Sequence, residues 1–107
     1  EKQAAAIGRL TAHLVTLRRM SVSVAGMLAR KEDPALEAAV VKDLGAVFEQ
    51  EIPQIAAQLI EAEPTLDRSS VYERVLAEIT MISPSFSLRG GTREILRGII
   101  ARGLGLR

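Results

Sequence analysis

Apolar residues recur every three or four positions through the first thirty residues. Ile7, Leu10, Leu14, Leu17, Val24 and Leu28 then share one face of a helix running from about Gln3 to Arg30, with Ser21 as a small polar member of the stripe. About 28 residues at 1.5 Å each span roughly 40 Å, a length that suits a bundle better than a compact orthogonal fold. Gly8 and Gly26 lower helix propensity and leave room for another helix to come close. With aromatics at 3% and no Trp, any core must be built from Ala, Leu, Ile and Val. Ala and Leu are strong helix formers, so composition and periodicity agree.

Three further helices follow. Lys31-Glu32-Asp33-Pro34 breaks the first. Asp33 is placed to cap a second helix from Pro34 to about Ala62, with Pro34 in its first turn, where a missing N–H does no harm. Pro53 lies inside that helix and clashes with the carbonyl of Glu49, which predicts a kink, or two shorter helices meeting near Ile52. Glu63 to Arg68 reads as a polar connector. Ser70-Val71-Tyr72-Glu73 has the form of a capping box and opens a third helix through Val75, Leu76, Ile79 and Ile82. That helix should stop at Ser83-Pro84, because a residue before proline avoids the helical region. Ser85 to Gly91 reads as a loop. Thr92 opens a fourth helix whose apolar face is Ile95, Leu96, Ile99 and Ile100, ended by Gly103 and Gly105. The expected fold is all-α, an up-and-down four-helix bundle of roughly antiparallel helices in one domain.

Several functions are excluded or disfavoured. With 14 basic and 13 acidic residues the chain has no global field to steer a polyanion, so no nucleic-acid partner is expected. Basic residues do gather near the C-terminus, where Arg89, Arg93, Arg97, Arg102 and Arg107 face only Glu94, and a solvated face is the simplest reading. The chain has no Cys, which removes disulfides, zinc thiolates and thiol nucleophiles and fits a reducing, cytoplasmic setting. His13 is the only histidine and reads as a surface or interface residue rather than a metal ligand, so no metal is expected. No apolar run approaches the ~20 residues of a membrane span. The chain opens on Glu1 with no signal peptide, which predicts that it begins inside a longer gene product or was trimmed. Met20, Met27 and Met81 read as filler, Glu49 and Glu51 as a solvated acidic face, and Tyr72 as a partly buried helix residue.

The stretch richest in chemistry is Arg89-Gly90-Gly91-Thr92-Arg93-Glu94-Ile95. Two glycines allow a sharp turn and close approach of a ligand, and Thr92 can act as N-cap. The first amides of the new helix, at Arg93, Glu94 and Ile95, have no helical carbonyl partners and favour anions and polar ligand edges. The same spacing also fits a plain turn and cap.

Ser87 to Arg102 resembles the C-terminal signature of the acyl-CoA dehydrogenases, matching at Gly91, Thr92, Ile95, Arg97, Ala101 and Arg102. Gln3 with the first helix, and Val41-Lys42 in the second, extend the resemblance over essentially the whole chain. It implies that residues 1–107 are the C-terminal helical-bundle domain of a larger flavoprotein, after an N-terminal helical domain and a middle β-domain. It implies FAD as cofactor, with Thr92, Arg93 and Glu94 in the stretch that contacts it and Gly91 beside the acyl thioester. The complete enzyme would take a proton from Cα of an acyl-CoA and a hydride from Cβ. Its partners would be the acyl-CoA substrate, an electron-transfer flavoprotein, its own other domains and further subunits in a homo- or hetero-oligomer.

Two departures qualify this. Many members carry the catalytic glutamate just before Gly-Thr, and here that position is Gly90, which has no titratable group. The base then lies on an earlier helix, or a competent subunit partners a base-less one, or the scaffold serves another chemistry. Leu59 to Pro64 stands where members often carry a Gly-Gly flavin-contacting turn. The fragment alone is not expected to be active. The alternative is a non-catalytic helical oligomerisation or interaction module, or a base-less subunit of a heteromeric acyl-CoA dehydrogenase. Exposed apolar faces would make either at least dimeric.

Overall fold

A computed structural model describes residues 1–60, 65, 67 and 70–106. Those residues form four α-helices and no strand: α1 (Lys2–Ala29), α2 (Ala35–Leu59), α3 (Val71–Ile82) and α4 (Arg93–Gly103), with a 3-10 helix at Ser83–Ser87 between the last two. The all-α, four-helix reading holds. Most of the connector from Glu63 to Arg68 lies outside the described residues.

Helix α2 is the hub. Gln3 at the start of α1 donates to the Leu59 carbonyl at the end of α2 (2.6 Å), and His13 meets Phe48 with ring centroids 5.9 Å apart. On another side, the Tyr72 hydroxyl donates to the Ala56 carbonyl (3.1 Å) and the Gln50 amide to the Ser83 carbonyl (3.1 Å). Further along, Arg93 pairs with Asp43 and Gly103 packs on Leu36. Each of the other helices therefore runs against α2, and α3, the 3-10 helix and α4 follow one another along it.

The core gathers around α2, mostly toward that succession, with Phe48 against His13 of α1. Its buried apolar residues are Ala39, Ala46 and Phe48 of α2, Leu76 and Ala77 of α3, and Leu96 of α4; α1 contributes none. The molecule exposes 7799 Å², whereas a compact monomer of 11.6 kDa exposes roughly 5,800 Å². Its radius of gyration is 16.9 Å, against roughly 13 Å for a compact domain of this length. The helices form an elongated, loosely packed bundle with extents of 51 × 27 × 25 Å.

Local details differ from the sequence reading. The face of α1 turned to α2 is Ala6, Leu10, Leu17, Met20, Val24 and Met27, all partly buried, while Ile7, Leu14 and Leu28 are 56–59% exposed. Pro34 is the N-cap of α2 rather than a first-turn residue, and Asp33 takes the Ala35 N–H at 3.1 Å. Helix α2 continues as one element through Pro53, whose ring is buried. Ser83 keeps helical angles (φ −55°, ψ −35°) although Pro84 follows. Pro84 has no N–H to offer Thr80, and the Ser83 hydroxyl donates to that carbonyl instead at 2.9 Å. Ser85 and Ser87 bond back to Ile82 and Pro84, so residues 83–87 coil rather than loop. The capping serine performs as read, its hydroxyl accepting the Glu73 N–H at 3.3 Å.

Both α1 and α4 end with the same pair of bonds. Leu106 N–H reaches the Ala101 carbonyl and Gly105 N–H the Arg102 carbonyl, with Gly105 left-handed at φ +76°. At the end of α1, Glu32 and Lys31 make the equivalent bonds to Met27 and Leu28, and the left-handed residue is Lys31 at φ +60°. A Cβ there costs about 1–2 kcal/mol, partly offset by the lower chain entropy of lysine. Lys31→Gly is expected to raise unfolding stability by about 0.5–1 kcal/mol in urea titration. Gly103→Ala should do the opposite despite its gain in helix propensity, because a Cβ would stand 2.9 Å from Leu36 Cβ. A loss of about 1 kcal/mol is expected in the same assay.

Candidate functional site

The turn into α4 is built by two consecutive glycines in left-handed conformation, Gly90 at φ +67° and Gly91 at φ +110°. Side chains disfavour both angles, so the turn needs glycine. Thr92 then becomes extended (φ −70°, ψ 163°) and caps the helix, its hydroxyl accepting the Ile95 N–H at 3.4 Å. Thr92 and Arg93 are half-buried and Glu94 is exposed, so the mouth of α4 opens at the surface.

Helix α2 holds this turn from below. Arg93 Nε donates to Asp43 Oδ1 at 2.8 Å across a partly buried pair. The bond to Asp43 is the main reason the guanidinium is held above its ordinary pKa. Lys42 Nζ donates to the Phe86 carbonyl at 3.4 Å. Arg89 pairs with Glu49 and lies over the Phe86 ring, 4.9 Å from its centre. Nothing in local sequence announces Asp43, Lys42 or Glu49 as partners of residues 40–50 positions away. Glu49 is an ion-pair partner rather than part of a solvated acidic face.

The amides expected to be bare are partly used. Ile95 N–H goes to Thr92. The Glu94 carboxyl is bonded by its own backbone N–H and by the Thr92 hydroxyl, which hold it below the ordinary glutamate value of 4.5; Arg97 and Arg93 add to the effect. Ile95 itself is 58% exposed and stands off the apolar face, which is carried by Leu96 with Ile99 and Ile100.

Two grooves lie along α1 and α2, and one of them reaches the turn at Arg93. One of about 350 Å³ runs between α1 and α2 to Arg93, with His13, Leu17, Met20, Leu44 and Phe48 on its walls. The other, about 370 Å³, is lined by Met20, Met27, Leu36, Val40, Ile100 and Leu104. Met20 and Met27 are thus groove walls, whereas Met81 is 60% exposed. Among the described residues, no three His, Cys, Asp or Glu come together to hold a metal ion, and no helix is long and apolar enough to cross a membrane.

The family model for the acyl-CoA dehydrogenase C-terminal domain matches residues 4–105. The chain belongs to the acyl-CoA dehydrogenase family. No curated protein and no solved structure matches it. In this acyl-CoA dehydrogenase domain, the side-chain-free position ahead of Gly91-Thr92 is framed by Lys42, whose Cε lies 3.3 Å from where a Cβ on Gly90 would stand. The turn therefore offers backbone, one hydroxyl and an exposed carboxylate, but no carboxylate at residue 90.

The lowered Glu94 carboxyl gives the dehydrogenase domain a pH signature. A carboxyl whose folded pKa is depressed stabilises the fold above its unfolded value, and that contribution disappears as pH falls through the folded value. Glu94→Gln is expected to lower the urea midpoint slightly at pH 7. The difference from the parent should close as the pH is taken below 4.5 and through the lowered value.

Proposed function

We propose that this domain serves an FAD-dependent acyl-CoA dehydrogenase, contributing flavin contacts and subunit assembly to the complete protein. The observation that carries the reading is the Gly91-Thr92 step opening α4 at the surface. Glycine at 90 and 91 lets a dinucleotide approach the backbone without meeting a Cβ. The Thr92 hydroxyl, the Arg93 amide and the Glu94 carboxylate then stand where polar edges of the cofactor could be bonded. The residues present fit such a group.

FAD, when bound, supplies the acceptor for a hydride from Cβ of the acyl thioester, the Cα proton leaves to a base, and a trans-2-enoyl-CoA results. This chain's part is to orient and to exclude water. Gly91 lies where the thioester passes, and Thr92, Arg93 and Glu94 hold the cofactor's edge. Gly90 offers no base. That observation favours a second reading, in which this is the base-less subunit of a heteromeric dehydrogenase. The partner subunit or an earlier helix then takes the proton, and an electron-transfer flavoprotein collects the electrons.

The test is on the complete protein. It should be isolated yellow, and the flavin band should bleach when an acyl-CoA is added. Thr92→Ala removes one hydrogen bond, worth about 0.5–1.5 kcal/mol, and should weaken flavin retention about three- to tenfold. A complete protein that binds no flavin under reconstitution would overturn the proposal.

A further inference from the structure

Arg89, Arg93 and Lys42 surround the turn into α4, and they differ in how their charge is met. Arg93 is paired with Asp43, and Arg89 with Glu49. Lys42, half-buried on α2, has no carboxylate partner among the described residues. Its ammonium makes one long bond, 3.4 Å to the Phe86 carbonyl, which leaves two of its three donors open. Glu94 at the mouth of α4 is already engaged by its own N–H, the Thr92 hydroxyl, Arg97 and Arg93.

A half-buried cation without an anion is unfavourable, and residue 90 cannot supply one. Lys42 Cε stands 3.3 Å from where a Cβ on Gly90 would be, so the lysine stem and a side chain at 90 compete for the same space. The left-handed backbone there, φ +67°, disfavours a side chain as well. The ammonium therefore borders a space that only a group from outside this turn can enter.

The chemistry proposed for the complete protein needs a base beside Gly91, where the thioester passes. The charge of Lys42 discriminates among bases. An imidazole or an amine becomes cationic on taking a proton, and would do so next to an ammonium. A carboxylate is drawn to that ammonium while it is ionised, as the base must be. Lys42 cannot take the proton itself, because an ammonium has no lone pair.

We infer that Lys42 is a positioning residue for proton abstraction: its ammonium receives, and holds ionised, a carboxylate base that enters beside Gly90 from outside the turn. The inference rests on the proposed acyl-CoA chemistry. The Cα–H bond breaks, the proton passes to a carboxylate oxygen, and the electron pair moves into the thioester enolate. In D2O a deuteron returns to Cα. This exchange needs no hydride acceptor, so it can be followed whether or not the flavin reading holds.

The test measures exchange of the Cα protons of an acyl-CoA in D2O by mass spectrometry, with the complete protein, across pH. Lys42→Met should move the acid limb of the profile up by about one unit, the lower end of the effect of an opposite charge at about 4–6 Å. Lys42→Arg keeps the charge and should follow the parent. The other charged groups around the gap, Asp43 and Glu49 on α2, Arg89 in the turn, and Arg93, Glu94 and Arg97 on α4, are common to all three proteins, and the 3-10 helix carries none. Exchange by the complete protein alone assigns the carboxylate to this gene product. If a partner subunit supplies it, the protein alone is silent. Sodium acetate should then restore exchange in the parent and in Lys42→Arg, and at least tenfold less in Lys42→Met. A Lys42→Met profile that drops equally at every pH without shifting would overturn the inference. So would a Lys42→Arg protein as impaired as Lys42→Met, or a parent silent even with acetate. Bleaching of the flavin band is read separately, so a yellow protein with an unshifted profile sinks this inference and leaves the flavin reading standing.

Discussion

The Arg93–Asp43 pair is where the two halves of the structure are tied together. Asp43 sits about a third of the way along the hub helix α2, and Arg93 is the first residue of α4. Drawing them to 2.8 Å fixes where α4 begins, and so where the Gly90–Gly91 turn must fold and where Thr92 points. Lys42 and Glu49 on the same helix steady the segment just before it. The Gly90–Gly91 turn is therefore shaped locally by glycine backbone freedom and held globally by α2. Neither acts alone: without the ion pair the turn has no fixed floor, and without the glycines the chain cannot reach it.

Much of this was legible in the sequence, and the limits follow from range. Helix existence and ends are local matters, set by spacing, caps and breakers. The three-four recurrence marked α1, Ser70 and Thr92 marked two helix starts, and glycines marked the end of α4. What failed at this level also failed for local reasons. The expectation that Ser83 must leave the helical region ignored its own hydroxyl, which could satisfy the carbonyl that proline abandons. Because residues 83–87 coil onward instead of turning back, α3 and α4 share a direction along α2, and no pattern of apolar residues reveals that.

The site divides in the same way. Gly90, Gly91, Thr92, Arg93 and Glu94 are contiguous, and their resemblance to acyl-CoA dehydrogenases could be read directly; the family match over residues 4–105 agrees. Their supports on α2 are 40 or more positions away, and no local pattern links them to the turn. Of the stripe expected on α1, Leu10, Leu17 and Val24 are covered, whereas Ile7, Leu14 and Leu28 stand exposed. Periodicity says that a helix has an apolar side, but where apolar residues spread round much of a helix, as on α1, it does not say which of them a neighbour will cover.

The large exposed surface of the helical bundle has a thermodynamic corollary. A chain that keeps about a third more surface in water than a compact monomer gives up less of it on unfolding, so its heat-capacity increment and denaturant slope should be small for 107 residues. Any partner that binds only the folded form acts as a stabilising ligand, and the melting temperature becomes a function of concentration. The stability of the proposed assembly would then depend on partner concentration as well as on the fold.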